Sequence, residues 1–249
     1  MPLLCLHTAG ADGRQYRALL NDPEITRHHR VIAYDMPRHG KSSPSPGTVD
    51  EDYRLTADGY VAQVLAVCDA LELEKPVVMG CSIGGRVVLH LAERRPERFR
   101  ALIGLQSGAA VPPYYDTGWL HRADVHGGEV CGAFAYGLMS PTSPAAEVDE
   151  TRWHYMQGGP GVFRGDLFYY TVDGDFRDRV AGIDVATCPL HLLTGEYDYS
   201  CSPADTRALA EALGIEWTLM PGLGHFPMSE NPQAFLAHLR PVLERIRAA

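Results

Sequence analysis

Val77-Val78-Met79-Gly80-Cys81-Ser82-Ile83-Gly84-Gly85 is an apolar run that gives way, within two residues, to a helical pattern, and its reading decides the fold. Val77 to Gly80 has the character of a buried strand, and Ile83 to Glu93 carries apolar residues at helical spacing. The junction Gly80-Cys81-Ser82-Ile83-Gly84 matches GxSxG, the turn that lifts a serine hydroxyl clear of a sheet. Glycine is needed on both sides because a side chain there would meet neighbouring backbone as the turn tightens. A helix that starts at Ile83 aims its free amides and positive dipole end at whatever reacts beside Ser82. Cys81 stands one place before the apex, where a thiol is expected to be packed and inert.

Outward from this turn, short apolar runs alternate with amphipathic stretches, the pattern of an α/β fold: a mostly parallel sheet with helices on both faces. Further strands are expected at Leu3 to Leu6, Arg30 to Tyr34, Ala101 to Leu105, Leu190 to Thr194 and Glu216 to Met220. Arg14 to Leu20 starts the first helix. Ala57 to Leu73 is a second, with Val61, Val64, Leu65, Cys68 and Leu71 on one face. Helices at Pro203 to Leu213 and Pro232 to Arg247 follow the last two strands. Between residues 107 and 187 the alternation is lost, and the stretch carries Trp119, Phe134, Tyr136, Trp153, Tyr155, Phe163, Phe168, Tyr169, Tyr170 and Phe176. An insertion of this length is read as a helical lid, with residues 1–106 and 188–249 as the core domain. Trp153, Tyr155 and Phe168 of the insertion, with Phe226 of the core, are the candidate pocket walls.

A serine hydroxyl attacks only when a base removes its proton, so a histidine must reach Ser82. Of eleven histidines, His225 lies in Pro221-Gly222-Leu223-Gly224-His225-Phe226-Pro227, between the last strand and the last helix. That position shares the strand-end rim with Ser82, where open α/β sheets gather their sites. His191 falls inside a strand, and His90 and His238 fall inside helices. The imidazole in turn needs a carboxylate to set its tautomer, and Gly195-Glu196-Tyr197-Asp198 offers one at the end of the fifth strand. Asp198 is the candidate and Glu196 its competitor. The corresponding place after the fourth strand reads Gln106-Ser107-Gly108, without an acid.

Bulk composition narrows the partners. Hydrophobic residues at 45% and charged residues at 21% fit one globular domain that folds by itself. A formal net charge of −9 disfavours nucleic acid and anionic membrane as partners, since both require a basic face. Residues 1–10 lack the basic, apolar layout of a secretion signal, and no run is long enough to span a bilayer. The six cysteines are scattered without CxxC or zinc-type spacing and read as reduced thiols of a cytoplasmic protein. No metal cluster or nucleotide fingerprint is visible, so no cofactor is expected.

With Ser82, Asp198 and His225 in that chain order, the sequence resembles the α/β-hydrolase superfamily, in its lidded esterase, lactonase and carbon-carbon hydrolase branch. His7-Thr8-Ala9-Gly10 is similar to that family's HGxG loop, and Asp35-Met36-Pro37-Arg38-His39-Gly40-Lys41-Ser42 to its DxRGHGxS loop. Thr8 and Arg38 depart from it, standing where the family usually has glycine. The resemblance implies an oxyanion hole formed by the amides of Ala9 and Ile83. It also implies two N-terminal strands that this chain lacks, which would leave its second strand as an exposed edge unless a homodimer contact covers it. Serine at the elbow argues against dehalogenase and epoxide hydrolase chemistry, which use aspartate there. The expected activity is hydrolysis of a small carboxylic ester or lactone through an acyl-enzyme on Ser82. The alternatives are carbon-carbon hydrolysis of a ring-fission diketone and a receptor-like binder that retains the triad.

Overall fold

The computed structural model describes residues 1–48, 52–111, 124–159 and 161–249, so Trp119 lies outside the described residues. Six strands, β1 Pro2–Leu6, β2 Arg30–Ala33, β3 Val77–Cys81, β4 Ala101–Leu105, β5 Leu190–Gly195 and β6 Trp217–Met220, form a sheet in the order β2-β1-β3-β4-β5-β6. Every pairing is parallel, with Leu3 opposite Val77, Gly80 opposite Gly104 and Leu193 opposite Thr218. β3 and β4 are buried along their whole length, which is why they read as unbroken apolar runs. The edge strands β2 and β6 are largely half-buried, and Arg30 is exposed.

Successive side chains of each strand point to opposite faces, and the two faces meet different helices. Leu4, Leu6, Val78, Leu102, Leu190 and Leu192 pack in one cluster with α3 Ala57–Ala70, α4 Ile83–Arg94 and α8 Pro203–Leu213. Leu3, Cys5, Val77, Met79, Ile103 and Leu193 pack in the other with α10 Pro232–Ala248 and the short α1 Arg17–Leu20 and α2 Pro23–Thr26. Removing a side chain such as Leu4 from this double layer costs about 2 to 5 kcal/mol through lost burial and the cavity left behind.

Local signals set the helix ends. Asp22 caps α2 before Pro23, Thr56 caps α3, and Ser202 and Asp205 form a reciprocal capping box at the start of α8, which ends on left-handed Gly214. Two expectations are corrected. Arg14 to Leu20 is not α-helical from its start: a 3₁₀ turn, Gly13–Tyr16, capped by the Asp12 side chain, precedes the single turn α1. Leu71 leaves the apolar face of α3, since the helix stops at Ala70, and it is 37% exposed.

Between β4 and β5 lie α5 Gly127–Leu138, α6 Ala145–Met156 and α7 Val162–Phe168, then a π turn, Tyr169–Asp173, and a 3₁₀ turn, Arg177–Gly182. The short α9 Pro227–Glu230 precedes α10. None of the described helices is long and apolar enough to cross a membrane, and none of the six cysteines is in a disulfide.

Candidate active site

Ser82 stands at the turn from β3 into α4 with φ +60° and ψ −113°, a conformation that a residue with a side chain rarely adopts. Packing enforces it. A Cβ on Gly80 would lie 2.3 Å from the carbonyl oxygen of Gly84, and one on Gly84 would lie 2.8 Å from that of Leu6. The Ser82 amide donates to Leu105 O at 3.1 Å, tying the turn to β4. Ile83 is the first residue of α4, so its N–H has no partner within the helix. Cys81 is fully buried and its Sγ donates to His225 O at 3.3 Å; burial pushes the thiol well above its ordinary pKa and keeps it protonated.

His225 Nδ1 and Asp198 Oδ2 are 2.8 Å apart, and both residues are buried. The other carboxylate oxygen of Asp198 accepts from the amides of Ser200 at 2.8 Å and Cys201 at 3.0 Å. One Asp198 oxygen is therefore taken up by backbone amides and the other faces the imidazole. Glu196 is exposed and turns the other way, accepting from the Gly222 amide at 3.0 Å. Among the described residues no hydrogen bond joins Ser82 Oγ to His225 Nε2, although both side chains line the same cavity. Such bonds commonly tighten only when substrate is bound.

The loop carrying His225 is held at every peptide. Gly224 N–H donates to Glu230 Oε1, Gly224 O accepts from Gln106 Nε2 at 2.7 Å, His225 N–H donates to Leu138 O at 2.9 Å, and Phe226 N–H donates to Glu230 Oε2 at 3.3 Å. Burial raises the Glu230 carboxyl, and the amides of Gly224, Ser140 and Phe226 act against that rise. Gln106 also accepts from the Gly195 amide at 2.9 Å, so one carboxamide joins the loops that carry Asp198 and His225. Sequence reasoning missed both Gln106 and Glu230. The available signals were a polar residue directly after an apolar strand and an acid between Ser229 and Asn231, just before the last helix.

The loop after β1 is fixed from two sides. His7 donates through Nδ1 to Thr8 O at 2.9 Å and accepts at Nε2 from the Met36 amide at 3.1 Å, which sets one neutral tautomer. Burial, reinforced by nearby His39, pushes its pKa down to about 4. The amide and hydroxyl of Thr8 donate to Gln15 Oε1 at 3.1 and 3.0 Å, so the Tyr155 hydroxyl must donate to Thr8 Oγ1. The departure from glycine at position 8 thus supplies a bond to α6. Arg38 takes up the left-handed backbone, φ +74°, that glycine would otherwise provide.

Ser82, His225 and Ala9 face a cavity of about 250 Å³ whose remaining walls are almost wholly apolar, among them Tyr155, Phe163, Leu167, Tyr170 and Phe226. Of the four candidate wall residues, Tyr155 and Phe226 line this cavity, and Trp153 and Phe168 do not. Two residues along a helix turn about 200°, so with Tyr155 inward Trp153 faces out; it is 55% exposed, with the Arg14 guanidinium 5.5 Å from its ring. Phe168 lines a separate polar cleft beneath Arg54. Among the described residues no group of three or more His, Cys, Asp or Glu side chains is gathered as a metal-ligand set.

A family model described as alpha/beta hydrolase fold matches residues 1–126. Strigolactone esterase D14 of Arabidopsis thaliana is 27% identical over 266 residues, covering 98% of this chain and 92% of that protein. The 2-hydroxymuconate semialdehyde hydrolase of Pseudomonas sp. (strain CF600) is 34% identical over 115 residues, 45% of this chain. The chain spans about a third of the length of that hydrolase and of one other curated relative, 38% and 32%. Among solved structures, the enol-lactonase from Burkholderia xenovorans LB400 superposes with a TM-score of 0.83 at 19% identity, covering 98% of this chain and 91% of that one.

Proposed function

The chain belongs to the alpha/beta hydrolase fold family, and from that premise we propose that it cleaves a small, uncharged carboxylic ester or lactone through an acyl-enzyme on Ser82. The observation that carries this reading is the 2.8 Å contact between His225 Nδ1 and Asp198, which leaves Nε2 for the cavity that Ser82 also lines. With Nδ1 protonated and facing a buried anion, Nε2 is the basic nitrogen and the developing imidazolium is stabilised.

In the first half-reaction Ser82 Oγ attacks the carbonyl carbon while its proton passes to His225 Nε2. The oxyanion is received by the amides of Ala9 and Ile83, and the proton returns to the leaving alcohol as the carbon-oxygen bond breaks. For a lactone that alcohol stays attached to the acyl chain. Water then attacks the acyl-enzyme with His225 as base, releasing the acid and restoring the serine hydroxyl. The apolar walls favour an apolar acyl group, and α5, α6 and α7, which line the cavity, act as a lid over it.

A fluorophosphonate probe should label Ser82 in folded protein, and p-nitrophenyl esters and simple lactones should be turned over by wild type but not by Ser82→Ala. Turnover that survives the substitution would rule out Ser82 as nucleophile. Absence of labelling would favour a binding protein that keeps the triad without using it.

The similarity to the semialdehyde hydrolase supports a second reading, carbon-carbon cleavage of a ring-fission diketone by the same three residues. That branch often places asparagine before the nucleophile, where this chain has Cys81, and substrate profiling separates the two.

A further inference from the structure

We propose that Asp166, carried by α7 of the insertion, is a positioning residue for the oxyanion hole, so that the hole is complete only when the insertion is seated on the core. The inference rests on the reading of Ala9 as an oxyanion donor.

Asp166 is fully buried, and its two oxygens collect donors from three separate segments of the core. Oδ2 accepts from the Gly10 amide at 2.8 Å and from His39 Nε2 at 2.8 Å, and Oδ1 accepts from the Tyr53 hydroxyl at 2.8 Å. His39 Nδ1 lies 3.0 Å from Pro37 O, so both ring nitrogens face acceptors and the doubly protonated ring satisfies both. A carboxylate paired with that cation makes a stronger bond to the Gly10 amide than a neutral acceptor would.

The consequence falls on Ala9. The preceding amide, of Thr8, is held by Gln15, and the following one, of Gly10, by Asp166. The Ala9 amide between them finds no acceptor among the described residues, and Ala9 lies on the cavity wall beside Ser82. Gly10 has φ +66°, and a Cβ there would come within 2.8 Å of Phe163, which is also on α7. One turn of the insertion therefore both presses on the bend and bonds its amide. Donors to an oxyanion work only when their direction is set before charge develops. A free Gly10 amide would let the Thr8-Ala9-Gly10 backbone rotate.

The test is Asp166→Ala, with active sites counted by burst titration so that lost protein is not read as lost rate. We expect kcat on a p-nitrophenyl ester to fall about 10²-fold with KM within about threefold, because the contact matters to the transition state and not to ground-state binding. The rate of fluorophosphonate labelling at Ser82 should fall in parallel. Asp166→Asn keeps a neutral, weaker acceptor at Gly10 and should fall between the alanine variant and wild type. Asp166→Glu displaces the carboxylate by one methylene and serves if the alanine variant does not fold, with the same loss expected. Wild-type kcat in a folded alanine or glutamate variant would overturn the proposal, as would a loss confined to KM or an asparagine variant as slow as alanine. If wild type itself neither labels nor turns over esters, the parent reading fails instead, so the two failures are distinguishable.

Discussion

Gln106 donates through Nε2 to the carbonyl of Gly224 at 2.7 Å, and that carbonyl belongs to the residue before His225. The same side chain accepts from Gly195, three residues before Asp198. The loops carrying Asp198 and His225 therefore share one spacer, itself held at an unfavourable φ of +54°. Gln106→Met keeps the volume but leaves a buried amide and a buried carbonyl without partners. The expected loss is about 2 to 4 kcal/mol in urea denaturation. A tenfold or greater drop in kcat per titrated site is also expected. Unchanged stability would mean that water replaces both bonds.

Asp198 and Glu196 compete on paper and differ in space. Only Asp198 reaches the imidazole, whereas Glu196 is exposed and bonded to Gly222. Asp198→Asn should lower kcat by about 10⁴-fold, since an amide at that place favours the wrong tautomer of His225. Glu196→Gln should stay within about twofold of wild type, the range expected for a surface acid remote from the reacting atoms. Steady-state rates on one ester suffice, and comparable losses in both variants would contradict the assignment.

How much of this was legible in the sequence depends on how far apart the interacting residues lie. β4 and α8 have the same ends as read from the chain, because an apolar run closed by turn residues and a Ser-Pro start closed by glycine are local signals. The Ser82 turn was local too. The insertion was not: α5, Gly-Gly-Glu-Val-Cys-Gly-Ala-Phe-Ala-Tyr-Gly-Leu, has too many small residues to show a face. Choosing Tyr155 over Trp153 required the phase of a helix whose ends were unknown. Gln106, Asp166 and Glu230 contact partners on distant segments, Asp166 reaching Gly10 across 156 positions. No periodicity marks such a pair, and only the folded chain brings it together.

His90 yields a prediction about acid. It is wholly buried on α4, its ring 4.8 Å from that of Phe176. Burial, then the charges of Arg94, Arg179 and Arg86, push its pKa down to about 3. In the unfolded chain the ring takes up a proton near the ordinary value of about 6.5. The unfolded state thus binds the extra proton over this interval. Stability from this group is full above about pH 6.5 and falls by up to about 1.4 kcal/mol per pH unit as pH drops toward 3. His90→Phe removes that dependence, so its Tm should decline less steeply than that of wild type between pH 6.5 and 4. His7, also buried and neutral, keeps part of the slope in both proteins. Parallel Tm curves would show that His90 is not held neutral in the fold.

Gly137 offers a way to ask what the cavity holds. It lies on α5 at the cavity rim, and a Cβ built there meets nothing within 4 Å, so a larger residue can enter without displacing backbone. In a helix the change from glycine also removes a conformational penalty of about 0.5 to 1 kcal/mol, so Gly137→Leu should not be less stable than wild type. The four added carbons would occupy space beside Leu138 and narrow the path to Ser82. If the acyl chain of the substrate runs along α5, kcat/KM for a p-nitrophenyl octanoate should fall about tenfold or more relative to the acetate, the scale on which methylenes are discriminated in apolar pockets. Acetate turnover should change little, because Ser82, Asp198, His225 and the loop of Ala9 are untouched. An unchanged octanoate-to-acetate ratio would place the acyl group elsewhere, toward Phe163 and Leu167 on α7, and the same panel on Leu167→Trp would then show the selectivity change.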